Sequence, residues 1–238
     1  MGELQYKRVL LKISGESFCQ TGGFGIDGGQ LASIAERIIQ IKNLGTQIAI
    51  VVGGGNFLRG ETFSKLSHIP RHTADYMGML STVINACALQ ETLEKLGQPT
   101  RVLSAIEISA ICEPFIRRKA IKYLEQGTVA ILAGGTGNPF FSTDTCAALR
   151  ASELDADVLI KATKVDGVYD DDPIKNPSAK FFDKLAYQDV LKNNLKVMDH
   201  SAISLCSENK IPIIVLNIFQ KGFIIKALLG EKIGTIIS

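Results

Sequence analysis

Three glycine clusters, each set directly behind a β-branched apolar run, constrain this chain more than any other feature. Ser14–Gly15–Glu16 follows Val9–Ile13, Gly53–Gly54–Gly55–Asn56 follows Ile48–Val52, and Gly134–Gly135–Thr136–Gly137–Asn138–Pro139 follows Val129–Leu132. The runs at Val102–Leu103, Val158–Ile160 and Ile213–Leu216 have the same texture. Near-continuous apolar strands of this kind belong to a parallel sheet covered on both faces. Segments with helical spacing lie between them. Leu31, Ile34, Ala35, Ile38, Ile39 and Ile41 sit mostly on one face, with Gly45 as a stop. Met77, Leu80, Ile84, Cys87 and Ala88 repeat the spacing, and further helices are predicted over Phe115–Gln126, Asp144–Leu154, Ser201–Asn209 and Phe223–Leu229. Strands alternating with helices argue for βαβ units and an open, mostly parallel sheet.

A chain of 238 residues, 46% apolar and 21% charged, can bury a sizeable core as one large α/β domain or two closely packed lobes. The polar, two-proline stretch Asp170–Lys180 is the candidate surface loop between such lobes. A net charge of +2, without a basic run interleaved with aromatics, argues against a nucleic-acid surface. Cys19, Cys87, Cys112, Cys146 and Cys206 form no C-x-x-C pair, which points away from zinc or a disulfide framework and toward a reducing cytosol. The N-terminal apolar stretch is short and broken by Lys12, so neither a signal peptide nor a membrane span is expected.

Ligands of open α/β sheets bind beyond the carboxyl ends of the strands. Glycine lets the backbone approach a ligand there and aim its N–H groups inward, which suits phosphate. Three such loops in register with the strand pattern point to a phosphorylated ligand. No G-x-x-x-x-G-K-[ST] loop is present. The G-x-G-x-x-G string at Gly23, Gly25 and Gly28 lies about ten residues past the first strand, too far for a dinucleotide turn. It reads instead as a mobile loop leading into the first long helix.

Phosphoryl transfer needs cations around the moving group. Lys12 ends the first strand and faces the first glycine loop, and a lysine inside an apolar strand needs a partner for its charge. Arg59, just past the triple glycine, could grip phosphate bidentately, or could simply be solvated at a helix start. Asp144, at a predicted helix start, could satisfy backbone donors or hold lysines. Lys161 and Lys164 bracket Ala162–Thr163, and either could meet a phosphate or lie on the surface. His68, His72 and His200 have no catalytic spacing, and His200 reads as capping or packing.

The segments YKRVLLKISGES, GFGID, VVGGGNFLRG, DYMGMLSTVINA, AGGTGNPFFSTD, LIKATKVDGVYDDDP and LKVMD resemble those of bacterial uridylate kinases in the amino acid kinase superfamily, from Tyr6 to about Ile237. The resemblance implies one α/β/α three-layer sandwich over 1–238, its acceptor part about 1–145 and its ATP part about 146–238. It implies transfer of the γ-phosphoryl group of ATP to UMP in pyrimidine nucleotide synthesis, with Lys12, Arg59, Asp144 and Lys161 catalytic. Lys12, Ile13, Ser14, Gly15, Gly55, Arg59, Thr163, Tyr169 and Asp172 would then bind ATP. Gly54, Asp75, Thr136, Gly137, Asn138, Pro139, Phe140, Phe141, Ser142 and Thr143 would bind UMP, with no dedicated metal site and Mg2+ arriving on ATP. It also implies a cytoplasmic homohexamer inhibited by UTP. Gln90 and Glu94 are poor partners for a triphosphate, so activation by GTP is expected to be weak or absent. A relative acting on a carboxylate and a nucleotide sensor without turnover are the rival readings.

Overall fold

A computed structural model describes all residues except 1–3, 60–62, 66–67, 174 and 196. Gly60, Ile174 and Lys196, which belong to segments quoted above, lie outside the described residues. The sheet is centred on β1 (Arg8–Ile13), flanked on one side by β2 (Gln47–Val52), β5 (Val129–Ala133), β3 (Thr100–Ser104) and β4 (Glu113–Pro114). On the other side come β6 (Val158–Thr163), β10 (Ile213–Asn217), β11 (Thr235–Ile237) and β9 (Lys184–Leu185). Pairing is parallel from β4 through to β10, and the sense reverses where β11 joins β10.

Alternate residues of each central strand feed separate cores, as the two-residue period of a strand requires. From β1, Val9, Leu11 and Ile13 join one core with α1 (Gly28–Lys42), α2 (Arg71–Lys95) and α7 (Phe223–Leu228). Leu10 joins the other, with α3 (Arg117–Glu125), α4 (Thr143–Glu153), α5 (Tyr187–Lys192) and α6 (His200–Glu208). This is the three-layer sandwich expected. Leu10, Leu11 and Ile13 are buried completely or nearly so, and truncating any one to alanine should cost about 2–5 kcal/mol.

The six long strand runs appear where the apolar texture placed them, extended by a residue or a few. The strands β4, β7 (Val168–Tyr169), β8 (Phe181–Phe182), β9 and β11 were not foreseen, nor was α5. Strands of two or three residues are too short to show a period. The stretch Asp170–Lys180 is not a link between lobes. It is the loop of the antiparallel β7–β8 ribbon, closed by Asp170 N–H to the Lys180 carbonyl at 3.1 Å. The Gly23–Gly28 segment is likewise tied down: Gly25 N–H donates to the Asn56 carbonyl and Asp27 caps α1 through Gln30 N–H. No helix among the described residues is long and apolar enough to cross a membrane.

Candidate active site

Register puts two lysines side by side. Lys12 on β1 is paired with Lys161 on β6, and both project from the face that carries Leu10 and Leu159. Two ammonium groups this close, Lys12 buried and Lys161 partly so, repel each other unless an anion lies between them. Asp144 supplies it from the first turn of α4, where Ser142 caps the helix by accepting from Asp144 N–H and Thr145 N–H. Lys12 Nζ lies 2.8 Å from Asp144 Oδ1, and Lys161 Nζ lies 2.7 Å from Oδ2. Lys161 also donates to the Val197 carbonyl. Burial pushes the Asp144 pKa up, but Lys12 and Lys161 outweigh it and hold the carboxyl below its ordinary 3.8. Burial lowers the Lys161 pKa, opposed by Asp144 and reinforced by Lys12.

The glycine loops fit against one another. A Cβ on Gly15 would fall 2.5 Å from Gly55 N and 2.9 Å from the Gly53 carbonyl oxygen, and one on Gly53 would fall 2.7 Å from Gly15 N. No side chain fits at either place. Gly134 opens the third loop at φ 76°, a left-handed conformation that glycine adopts without steric cost.

Two cavities open at the carboxyl ends of the strands. The first, about 620 Å³, is lined by Lys12, Ser14, Gly15, Gly54, Gly55, Arg59, Asp75, Phe140, Phe141, Ser142, Thr143 and Asp144, among others. The second, about 570 Å³, is lined by Lys161, Thr163, Tyr169 and Asp172, together with Val168 of β7, Asp170, Asp171 and residues 193–195. Most of the expected site residues are therefore gathered, but in two groups. Ile13 is different: its side chain is fully buried in the core, so only its backbone faces the loops. Thr136, Gly137, Asn138 and Pro139 do not line the first cavity. They form its outer turn, closed by Gly137 N–H to the Gly134 carbonyl and by Thr136 Oγ1 with Asn138 N–H. Lys164 is exposed, so of the two bracketing lysines it is Lys161 that reaches the junction. Arg59 reaches back to Glu16.

Arg71, Thr82, Thr145, Asp199 and Ser201 are among the lining residues that were not singled out from sequence. Arg71 holds Asp75 by Nε at 2.8 Å, an i,i+4 pair that the spacing alone could have shown. Asp199 accepts from the Ser142 and Thr145 hydroxyls, and Ser201 Oγ lies 2.8 Å from Thr145 Oγ1. Asp199 ends the quoted LKVMD segment, yet only the tertiary fold carries it to the start of α4. His200, exposed at the start of α6, shares a hydrogen bond with Asn194 and has no place at the junction.

Comparison with known proteins gives a consistent result. A family model described as the amino acid kinase family matches residues 7–217. The chain is 52% identical over 234 residues to a chloroplastic uridylate kinase of Arabidopsis thaliana, covering 98% of this chain and 69% of the relative. The crystal structure of a UMP kinase from Bacillus anthracis superposes with a TM-score of 0.94 at 38% identity, over 98% of this chain and 96% of that one. A UMP kinase from Ureaplasma parvum gives 0.90 at 38% identity, over 99% and 100%.

Proposed function

We propose that this chain, which belongs to the amino acid kinase family and within it to the uridylate kinases, transfers the γ-phosphoryl group of ATP to UMP, giving UDP and ADP. The observation that carries the reading is the position of the Lys12–Asp144–Lys161 bridge. It stands on the wall between the two cavities, with Lys12 and Asp144 facing the first and Lys161 facing the second. A γ-phosphoryl group leaving a nucleotide in one cavity for an acceptor in the other would pass this wall.

In the proposed mechanism an oxygen of the UMP phosphate attacks the γ-phosphorus in line while the bond to the β–γ bridging oxygen breaks. The acceptor is already an anion, so no base has to take a proton. The main barrier is bringing two anions together, and Lys12, Lys161, Arg59 and the N–H groups of Gly15, Gly54 and Gly55 would offset it. Asp144 would hold both lysines in place. Asp75 would accept from the UMP ribose, and Phe140, Phe141, Ser142 and Thr143 would enclose UMP, with Thr136–Pro139 bracing them from outside. Thr163, Tyr169 and Asp172 would line the adenosine. Mg2+ would come with ATP, since both Asp144 oxygens are already engaged by ammonium groups. The acceptor part would then span about 1–145 and the ATP part about 146–238.

The same reading includes a role in pyrimidine nucleotide synthesis, inhibition by UTP, and a cytoplasmic setting supported by five free cysteines. Assembly as a homohexamer is supported by Tyr76, Leu80 and Ile84, an apolar stripe about half exposed on the outer face of α2. Activation by GTP is proposed to be weak or absent: Gln90 is used by Val102 N–H, and Glu94 pairs with Arg101 at 2.6 Å. The test is ADP release with Mg-ATP and UMP, CMP, dUMP, N-acetylglutamate or aspartate as acceptors. Turnover confined to UMP is expected. Turnover on a carboxylate alone, or tight UMP binding without turnover, would overturn the reading.

A further inference from the structure

The N-terminal half of α2 turns a polar face toward the sheet. Asp75, Gly78, Thr82 and Asn85 are spaced by three, four and three residues, which stacks them on one side of a helix. Farther along, the same side carries Ala86, Leu89 and Leu93, all buried in the core. An apolar face would therefore have sufficed for packing. Burying Thr82 and Asn85 instead is costly unless their hydrogen bonds are met.

They are met by the two loops. Asn85, fully buried, donates to the Gly53 carbonyl at 2.8 Å and to Asn56 Oδ1 at 2.7 Å. Asn56 returns a hydrogen bond from Nδ2 to Asn85 Oδ1 at 2.9 Å and also reaches the Gly25 carbonyl. The Thr82 hydroxyl accepts Gly134 N–H at 2.8 Å and donates to the Met79 carbonyl at 2.6 Å, so although Thr82 lies in the lining of the first cavity its hydroxyl is already used. A Cβ on Gly54 would come within 2.6 Å of the Gly78 carbonyl oxygen, and Asp75 accepts Phe140 N–H at 2.9 Å. Along the helix the attachments interleave. Asp75 and Thr82 hold the two ends of the 134–140 loop, while Gly78 and Asn85 hold the triple-glycine loop.

We propose that Thr82 and Asn85 are positioning residues that keep the triple-glycine loop and the acceptor loop in register on a single helix face. The proposal deepens the kinase reading and rests on it. Neither residue needs to touch the reacting atoms. In-line transfer requires near-attack alignment of donor and acceptor, and a displacement of about 1 Å can lower the rate about a hundredfold. Asn85 serves the loop that faces the transferred group, and Thr82 serves the loop that encloses the acceptor.

The experiment compares kcat and both KM values for Asn85→Leu, Thr82→Val and Thr82→Ser, with the unfolding midpoint of each. Asn85→Leu should lower kcat about ten- to a hundredfold and leave both KM values within about threefold. Thr82→Val should raise KM for UMP about tenfold and leave KM for ATP within about twofold, because one buried donor, Gly134 N–H, loses its partner. Thr82→Ser keeps the hydroxyl and should restore KM for UMP to within about twofold of the parent. Unchanged constants in folded variants, losses that merely follow the folded fraction, or a serine variant no better than valine would each overturn the proposal. If Asn85→Leu does not fold, Asn85→Asp takes its place, and failure of both to fold makes Asn85 a folding residue only. If the parent chain fails to phosphorylate UMP, the kinase reading falls by itself. The positioning proposal is then decided by UMP dissociation constants, weaker for Thr82→Val and restored for Thr82→Ser if it stands, equal for all if it falls.

Discussion

The two cavities are close in volume, about 620 and 570 Å³, yet they are built differently. The first is framed by the ends of β1, β2 and β5 and by the N-terminal halves of α2 and α4, with glycine loops in mutual contact. The second has one wall made by the β7 strand of the two-stranded ribbon and the residues that follow it. That ribbon hangs from the sheet through Thr235, which accepts Val168 N–H at 2.8 Å and donates to the Phe182 carbonyl. Gly167 makes this approach possible, since a Cβ there would sit 2.6 Å from Thr235 Oγ1. The difference separates two tasks. Under the proposed function, charge placement at the junction would depend on the frame, whereas ATP would be held by a wall fastened to the sheet through Thr235. Substitutions in the frame should therefore act on kcat or on the acceptor, and substitutions in the wall should act on ATP alone.

The frame yields the largest expected effects. Asp144→Asn leaves two adjacent lysines without their counter-charge. It should lower kcat about 10³-fold and cost about 3–5 kcal/mol, read from the denaturant midpoint. The sign of its pH dependence follows from the depressed carboxyl. The stabilisation by Asp144 is fully present above 3.8 and is lost as pH falls through the lower folded-state value. The gap in stability between parent and variant should thus stay level from about pH 8 to about pH 5 and narrow in stronger acid. Lys12→Ala is gentler on the fold, because Asp144 keeps Lys161 as its partner. It should lower kcat about 10²–10³-fold with native folding by circular dichroism, and a near-parental rate would remove Lys12 from its role. Asp75→Asn should raise KM for UMP about tenfold while KM for ATP stays within about twofold, since Asp75 lines the first cavity, the one proposed to take UMP. Equal shifts in both constants would break the division between the cavities.

The frame is also the part that could be read from the sequence. Strand runs ending in glycines, Lys12 inside an apolar strand and Asp144 at a helix start all carry local signals, but those signals left Asp144 open between capping its helix and holding lysines, and it was the family resemblance that grouped Lys12, Gly54, Gly55 and Asp144 in one site. The choice between Lys161 and Lys164 was not local: it depended on which one β6 turns toward Asp144. The ribbon wall left little trace, because β7 and β8 are two residues each and Thr235, whose hydroxyl ties them to the main sheet, lies more than fifty residues away in sequence. The polar helix face escaped notice for a different reason. Thr82 and Asn85 have ordinary helical spacing, and nothing in the spacing says that their partners are loop amides and carbonyls.

The wall should give a smaller, one-sided effect. Thr235→Val has nearly the same shape but strands Val168 N–H and the Phe182 carbonyl, loosening the ribbon over the second cavity. KM for ATP should rise about fivefold, with kcat and KM for UMP each within about twofold. A matching rise in KM for UMP would mean that the two cavities share a wall more extensively than the Lys12–Asp144–Lys161 bridge.

The smallest effect is expected at the far end of α2, where the frame is closed rather than open to ligands. Gln90 spends its carbonyl on Val102 N–H. Glu94 and Glu113 compete for Arg101, and Glu113 is held further by Lys119 and Tyr123. The first cause of the depressed Glu113 pKa is its hydrogen bond from Lys119, so this carboxylate remains charged and paired near neutrality. A triphosphate settling here would have to displace these partners while facing two carboxylates, and it would gain only the cations it had freed. Added GTP should therefore change the rate by less than about twofold at saturating ATP and UMP. A several-fold rise would show that this end of α2 does open, and that a signal can travel along the helix to the loops held by Thr82 and Asn85.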